Sequence, residues 1–199
     1  SSDGSVRGVA WDGKNTAGTL VSGTFTVTLV VSGADGSGPV VATDGTSPTI
    51  TVTRSMPGSF SALTPTRLLD TRSAVGVTTT TPIAANGVVD LQVTGRGNVP
   101  LTGVGAVILN VTVVTPTRQG YLTVYPTGGA APTASNVNFT PGQVVPNLVV
   151  AKVGTGGRVS LQNASLGATH VVADVAGYFL DGTVIDPGGL SAVTPSRLL

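Results

Sequence analysis

One residue in three is β-branched. The 199-residue chain holds 33 valines, 30 threonines and 4 isoleucines, against no glutamate and only two lysines, Lys14 and Lys152. Two heavy atoms on Cβ stiffen such side chains and crowd a helix, whereas a pleated sheet accepts them. Glu and Lys, with Ala and Leu, are what helical bundles are built from. The chain is therefore expected to be all-β. A hydrophobic fraction of 40% and a net charge of +1 argue against disorder. The absence of cysteine excludes disulfide scaffolds and thiolate metal sites.

The near-zero net charge leaves no electrostatic footprint for nucleic acid or an anionic membrane. No apolar stretch approaches the roughly 18 residues of a membrane span. The chain opens Ser1-Ser2-Asp3-Gly4, neither an initiator methionine nor a signal peptide, and is read as a piece of something longer. The low-lysine, Thr/Gly-rich composition points to an extracellular bacterial protein.

Periodicity divides the chain into blocks. In the first, Phe25 to Val31 alternates apolar residues with Thr, and Pro48 to Arg54 alternates again. The Gly, Asp and Ser of residues 33–47 between them predict a hairpin connection or longer loop. Residues 55–59 form a hinge. The main block, 60–181, carries strand candidates at Val88–Thr94, Ala106–Val114, Gly120–Tyr125, Ser135–Phe139, Leu148–Val153, Arg158–Gln162 and Thr169–Tyr178, separated by Gly and Pro turn signals. Short strands at near-regular spacing predict a sandwich or barrel, with the sandwich preferred. No window sustains a helical pattern.

An internal repeat gives the organisation. Residues Gly58 to Leu69 recur as Gly188 to Leu199, 130 positions later, with eight of the twelve positions identical. That period exceeds any solenoid repeat and matches a whole domain. The expected layout is a partial Ig-like module (1–54), a linker (55–59), a complete β-sandwich repeat domain (60–181), and a linker with the start of a second copy (182–199).

Two resemblances accompany these motifs. Trp11-Asp12-Gly13-Lys14-Asn15-Thr16-Ala17-Gly18, followed by Val21 to Val27, resembles the second half of a FlgD-type Ig-like domain. The main block resembles a β-rich repeat of secreted, cell-wall-associated actinobacterial proteins. The matching motifs are Leu63 to Arg72, Ala106 to Thr112, Gly120 to Pro126, Ala134 to Phe139, Asn147 to Val149 and Thr169 to Phe179. The resemblance implies a secreted location and a non-catalytic accessory role, and carries over no catalytic residue.

Charge is scarce, so Arg67, Asp70 and Arg72 stand out. They are read as a structural polar network pinning the first strand to the sheet, in preference to an anion or sugar site. Asp174, in the apolar run Val171 to Val175, needs a partner, either an Arg of this motif or backbone donors. Asn110, Asn136 and Asn147 are expected to lock strands or loops through free backbone groups. Tyr121, Tyr125, Asn136 and Asn138 are the candidate ligand-binding residues, with sheet packing the preferred reading of the two tyrosines. His170 is expected to be structural, because no nucleophile elbow accompanies it. Asp12-Gly13, Asp35-Gly36 and Asp44-Gly45 lack the calcium-loop pattern and are read as turns. No cofactor, metal site or catalytic residue is expected.

The functional expectation is a structural or interaction module of a secreted multi-domain bacterial surface protein. It would serve as spacer, stalk or adhesive repeat at the cell wall. The alternative is a carbohydrate-binding module that targets a linked hydrolase to polysaccharide or peptidoglycan. Expected partners are a cell-wall polymer or glycan and neighbouring repeat domains, with strand-addition self-assembly a further route.

Overall fold

In a computed structural model the described residues are 23–28, 31–32, 39–40, 49–54, 56–184 and 188–198. The chain divides into two compact units, Ser1–Met56 and Pro57–Leu199. In the first, β1 (Gly23–Thr28) pairs antiparallel with β4 (Thr49–Arg54), placing Phe25 opposite Val52 and Val27 opposite Ile50. Between them β2 (Val31–Ser32) pairs with β3 (Pro39–Val40). The Trp11-Asp12-Gly13 motif and the three Asp-Gly pairs lie outside the described residues.

The second unit holds eight strands: β5 (Phe60–Asp70), β6 (Val88–Gln92), β7 (Val104–Val114), β8 (Gly120–Pro126), β9 (Val137–Phe139), β10 (Val144–Lys152), β11 (Arg158–Ser165) and β12 (His170–Leu180). They form two four-stranded antiparallel sheets, ordered β10-β7-β12-β5 and β6-β11-β8-β9. The described residues are thus all-β, and their single helical piece is a three-residue 3₁₀ turn at Thr155–Gly157.

Alternation along the strands builds the core. On β7, Val107, Leu109, Val111 and Val113 point inward. Val171, Ala173 and Val175 do so on β12, and Leu122, Val124, Val159 and Leu161 face them from β8 and β11. These side chains make one buried cluster between the sheets, the arrangement of a β-sandwich.

The sequence reading places the Arg67-Asp70-Arg72 motif at a first strand but sets no bounds for it, and the strand found there, β5, contains Pro65. The structure shows why the proline is tolerated. β5 is the edge of its sheet, so a missing N–H costs no ladder bond on the open side. Pro65 also falls where the register with β12 shifts, between the pairs Val175↔Thr66 and Gly177↔Ala62.

Residues 188–198, read in the sequence as the start of another copy, form no strand. Their beginning docks on this unit, with the Leu190 N–H donating to the Gly58 carbonyl at 3.0 Å. Gly58 (φ 77°) and Gly188 (φ 87°) occupy equivalent repeat positions and share the left-handed conformation that glycine tolerates best.

Candidate functional site

The outer face of the β10-β7-β12-β5 sheet gathers most of the charge singled out in the sequence. Register places Arg67 of β5, Asp174 of β12, Asn110 of β7 and Leu148 of β10 in one row across all four strands. The Arg67 guanidinium grips Asp174 as a fork, Nε to Oδ1 at 2.8 Å and Nη2 to Oδ2 at 3.1 Å. Its Nη1 reaches Asp70 Oδ2 at 3.4 Å. Paired planar groups of this kind are directional as well as strong. The fork ties the edge strand to the strand beside it.

Asp70 ends β5 and organises the turn that follows. Its Oδ1 accepts the backbone N–H of Arg72 at 3.0 Å and Arg72 Nε at 2.9 Å, and its Oδ2 accepts Arg72 Nη2 at 2.7 Å. A short polar side chain folded back on the backbone two residues later is the usual Asx way of stabilising a turn. The Asp70 side chain is 6% exposed, whereas both arginines are about half exposed, at 47%. The Arg72 side-chain hydrogen bonds hold the Asp70 carboxyl down at about 2, helped by the Arg72 N–H and both guanidinium charges and opposed by burial. The bond to Asp174 raises Arg67 above the ordinary arginine value. Arg67, Asp70, Arg72 and Asp174 therefore form one continuous chain of ion pairs, with Asp70 at its buried centre.

Asn110 lies opposite Asp174 but makes no side-chain hydrogen bond among the described residues. The backbone lock expected of it is not made. Strand β7 is flanked by both β10 and β12, so the ladders already occupy the backbone groups around Asn110. The locks form elsewhere. Asn136 Oδ1 accepts the Val124 N–H at 2.7 Å, and Asn147 Nδ2 donates to the Asn136 carbonyl at 2.6 Å.

The fully buried Asn163 does the most, and the sequence reading gave it no such role. Its Nδ2 donates to the carbonyls of Ile83, Ala84 and Gly167 at 3.1, 2.9 and 2.7 Å, and its Oδ1 accepts the Ser165 hydroxyl at 2.8 Å. One signal was available. Val159, Leu161, Asn163 and Ser165 alternate onto one face, so Asn163 was due to point into the core.

Tyr121 and Tyr125 share the outer face of the second sheet, but they differ in access. Tyr125 is buried, at 6% exposed, which removes it as a stacking surface. The reason is the segment after β8, which folds back over this face. Thr123 Oγ1 donates to the Ala134 carbonyl at 2.6 Å, and the Thr127 hydroxyl meets Ser160 Oγ at 2.9 Å. Tyr121 stays half-buried, opposite the exposed Asn138. His170 Nδ1 shares a 2.9 Å hydrogen bond with the buried hydroxyl of Thr71, which also accepts the Val171 N–H at 3.0 Å.

Among the described residues no three His, Asp or Glu side chains cluster as metal ligands do. An open cavity of about 340 Å³ lies beside the ends of β7, β10 and β12, lined in part by Lys152, Phe179, Asp181 and Leu190. No family model, curated protein or solved structure matches this chain.

Proposed function

We propose that this chain is a structural and interaction module of a secreted, multi-domain bacterial surface protein, an adhesive spacer at the cell wall rather than a catalyst. The observation that carries the reading is the repeat. The motif that recurs after 130 residues coincides with the opening strand of an eight-stranded sandwich, which supports a repeating unit the size of a whole domain. The polar groups fit this role. Arg67, Asp70, Arg72 and Asp174 are spent on one another, which suits a rigid bead better than a reaction centre. Beads in series multiply weak contacts through effective concentration. The resemblance to repeats of actinobacterial cell-wall proteins supplies the expected setting.

Co-sedimentation of the 199-residue chain with purified actinobacterial cell walls tests the proposal. Retention should rise steeply when two chains are fused in tandem. A chain that stays in the supernatant singly and in tandem rules out adhesion.

A carbohydrate-binding module is the second reading, favoured by one observation, the exposed Asn138 directly across from Tyr121. An aromatic side chain next to a polar one supplies the apolar surface and the hydrogen-bonding group that small-molecule sites combine. Under this reading Tyr121→Ala abolishes retention and soluble glycan competes for it. Under the first reading neither has that effect.

A further inference from the structure

Most of the β5 sequence recurs near the end of the given chain, and among the described residues only the first copy is a strand. We propose that the second copy, Leu190–Leu198, is an interchangeable replacement for β5, able to close the edge of β12 from the C-terminal side of the same chain.

Strand direction permits the exchange. β12 and β5 are antiparallel, with Phe179 opposite Phe60, Gly177 opposite Ala62, Val175 opposite Thr66 and Asp174 opposite Arg67. Adding the repeat offset gives Leu190, Ala192, Ser196 and Arg197 as the replacements. A segment that follows β12 and turns back meets it antiparallel, and antiparallel neighbours need only a short connection. Residues 180–189 supply ten.

The second copy already starts in the right place. Gly58 N donates to the Leu180 carbonyl at 2.9 Å, and the Gly58 carbonyl accepts the Leu190 N–H. The two copies therefore begin side by side at the end of β12.

Chemistry also matches. Arg197 repeats the Arg67 whose guanidinium Asp174 grips, and in the exchanged strand Pro195 would fall at the shift in register that accommodates Pro65. Leu68 is 1% exposed in its strand, whereas the equivalent Leu198 is 91% exposed. An apolar side chain in water gains by entering the site its counterpart fills. The balance favours β5 in the resting structure for two reasons. Phe60 packs on the Phe179 ring, centroids 5.2 Å apart, and covers Gly177, whereas Leu190 is aliphatic. Asp70 and Arg72 add the turn clamp. Exchange releases Phe60–Asp70 from the sheet, so the junction between neighbouring repeats can shift by one strand without unfolding the rest.

The full chain has no cysteine, so disulfide trapping is clean. The pair Val175→Cys/Ser196→Cys reports the exchanged strand, and Val175→Cys/Thr66→Cys reports β5. Under mild oxidation with glutathione disulfide the 66–175 bond should dominate. Adding Arg67→Ala, which frees Asp174, should raise the 175–196 bond about fivefold, the shift expected from losing one modest interaction. Further addition of Arg197→Ala should return it to its starting level. The proposal fails if no 175–196 bond forms with Arg67→Ala while the control pair still forms in the parent background. It also fails if the yield ignores Arg197, or if the bond joins two chains.

Discussion

Replacing Asp70 with asparagine keeps the shape of the side chain and removes the charge at the centre of the ion-pair chain. The carbonyl oxygen of Asn can still accept the Arg72 N–H, so the turn keeps one of its bonds. The two guanidinium contacts lose their charge assistance, and both arginines lose their shared partner. Asp70 titrates at about 2 in the fold instead of near 3.8. That difference corresponds to at most about 2.5 kcal/mol. Both guanidinium groups are half in water and screened, so about 1 to 2 kcal/mol is the expected loss at pH 7. Because the folded value is depressed, the stabilisation is complete above about pH 4. It falls away as the pH drops through 2, where the wild-type carboxylate is itself protonated. Urea unfolding followed by tyrosine near-ultraviolet circular dichroism is the assay of choice, since Tyr121, Tyr125 and Tyr178 all belong to the second unit and Trp11 to the first. The difference between wild type and Asp70→Asn should be largest at pH 5–7 and shrink towards zero near pH 2. A constant difference across that range, or none at pH 7, would refute the electrostatic account of Asp70.

Three further outcomes follow from the geometry. Asn163→Ala removes four hydrogen bonds from a fully buried position, although the Ile83, Ala84 and Gly167 carbonyls keep the Thr169 N–H, the Gly87 N–H and the Ser165 hydroxyl, and should cost about 2 kcal/mol in the same urea assay. Thr123→Val removes the bond to the Ala134 carbonyl at constant volume. It should cost about 1 kcal/mol, with limited proteolysis speeding up within residues 127–136 as the visible sign. Arg67→Lys keeps the charge but cannot form the fork on Asp174, and should lower stability by up to about 1 kcal/mol, an effect that 1 M salt diminishes.

Several of these features were legible before any fold was known. Alternation located most of the second unit's strands, because a sheet buried on one face forces period two on its sequence. Strand β5 escaped that logic. Its proline and shifted register break the alternation, and only its place at the sheet edge makes them harmless. Asp174 was recognisable as needing a partner because it interrupts an apolar run, whereas the partner, 107 residues away, was one of two nearby arginines. Asn110 and Asn163 show the opposite error. Both lie within strands, and what separates them is the face they take, Asn110 half-buried on an outer face and Asn163 fully buried beside loop carbonyls. Asn110 lies between two paired strands, while Asn163 faces the 83–84 and 167 loops. Tyr125 was correctly placed on the face of Tyr121, but the covering segment after β8 has no periodic signature.

Local chemistry alone, then, settled that this chain is β. A third of its residues resist helix, cysteine is absent, and the repeat marks a domain-sized period. What only the tertiary structure decided is which of those residues meet. Arg67 finds Asp174, Asp70 becomes buried between two arginines, and the first copy of a repeated segment forms the sheet edge. Each depends on contacts between positions far apart in sequence, and period-two patterning specifies which face a side chain takes without specifying its neighbour.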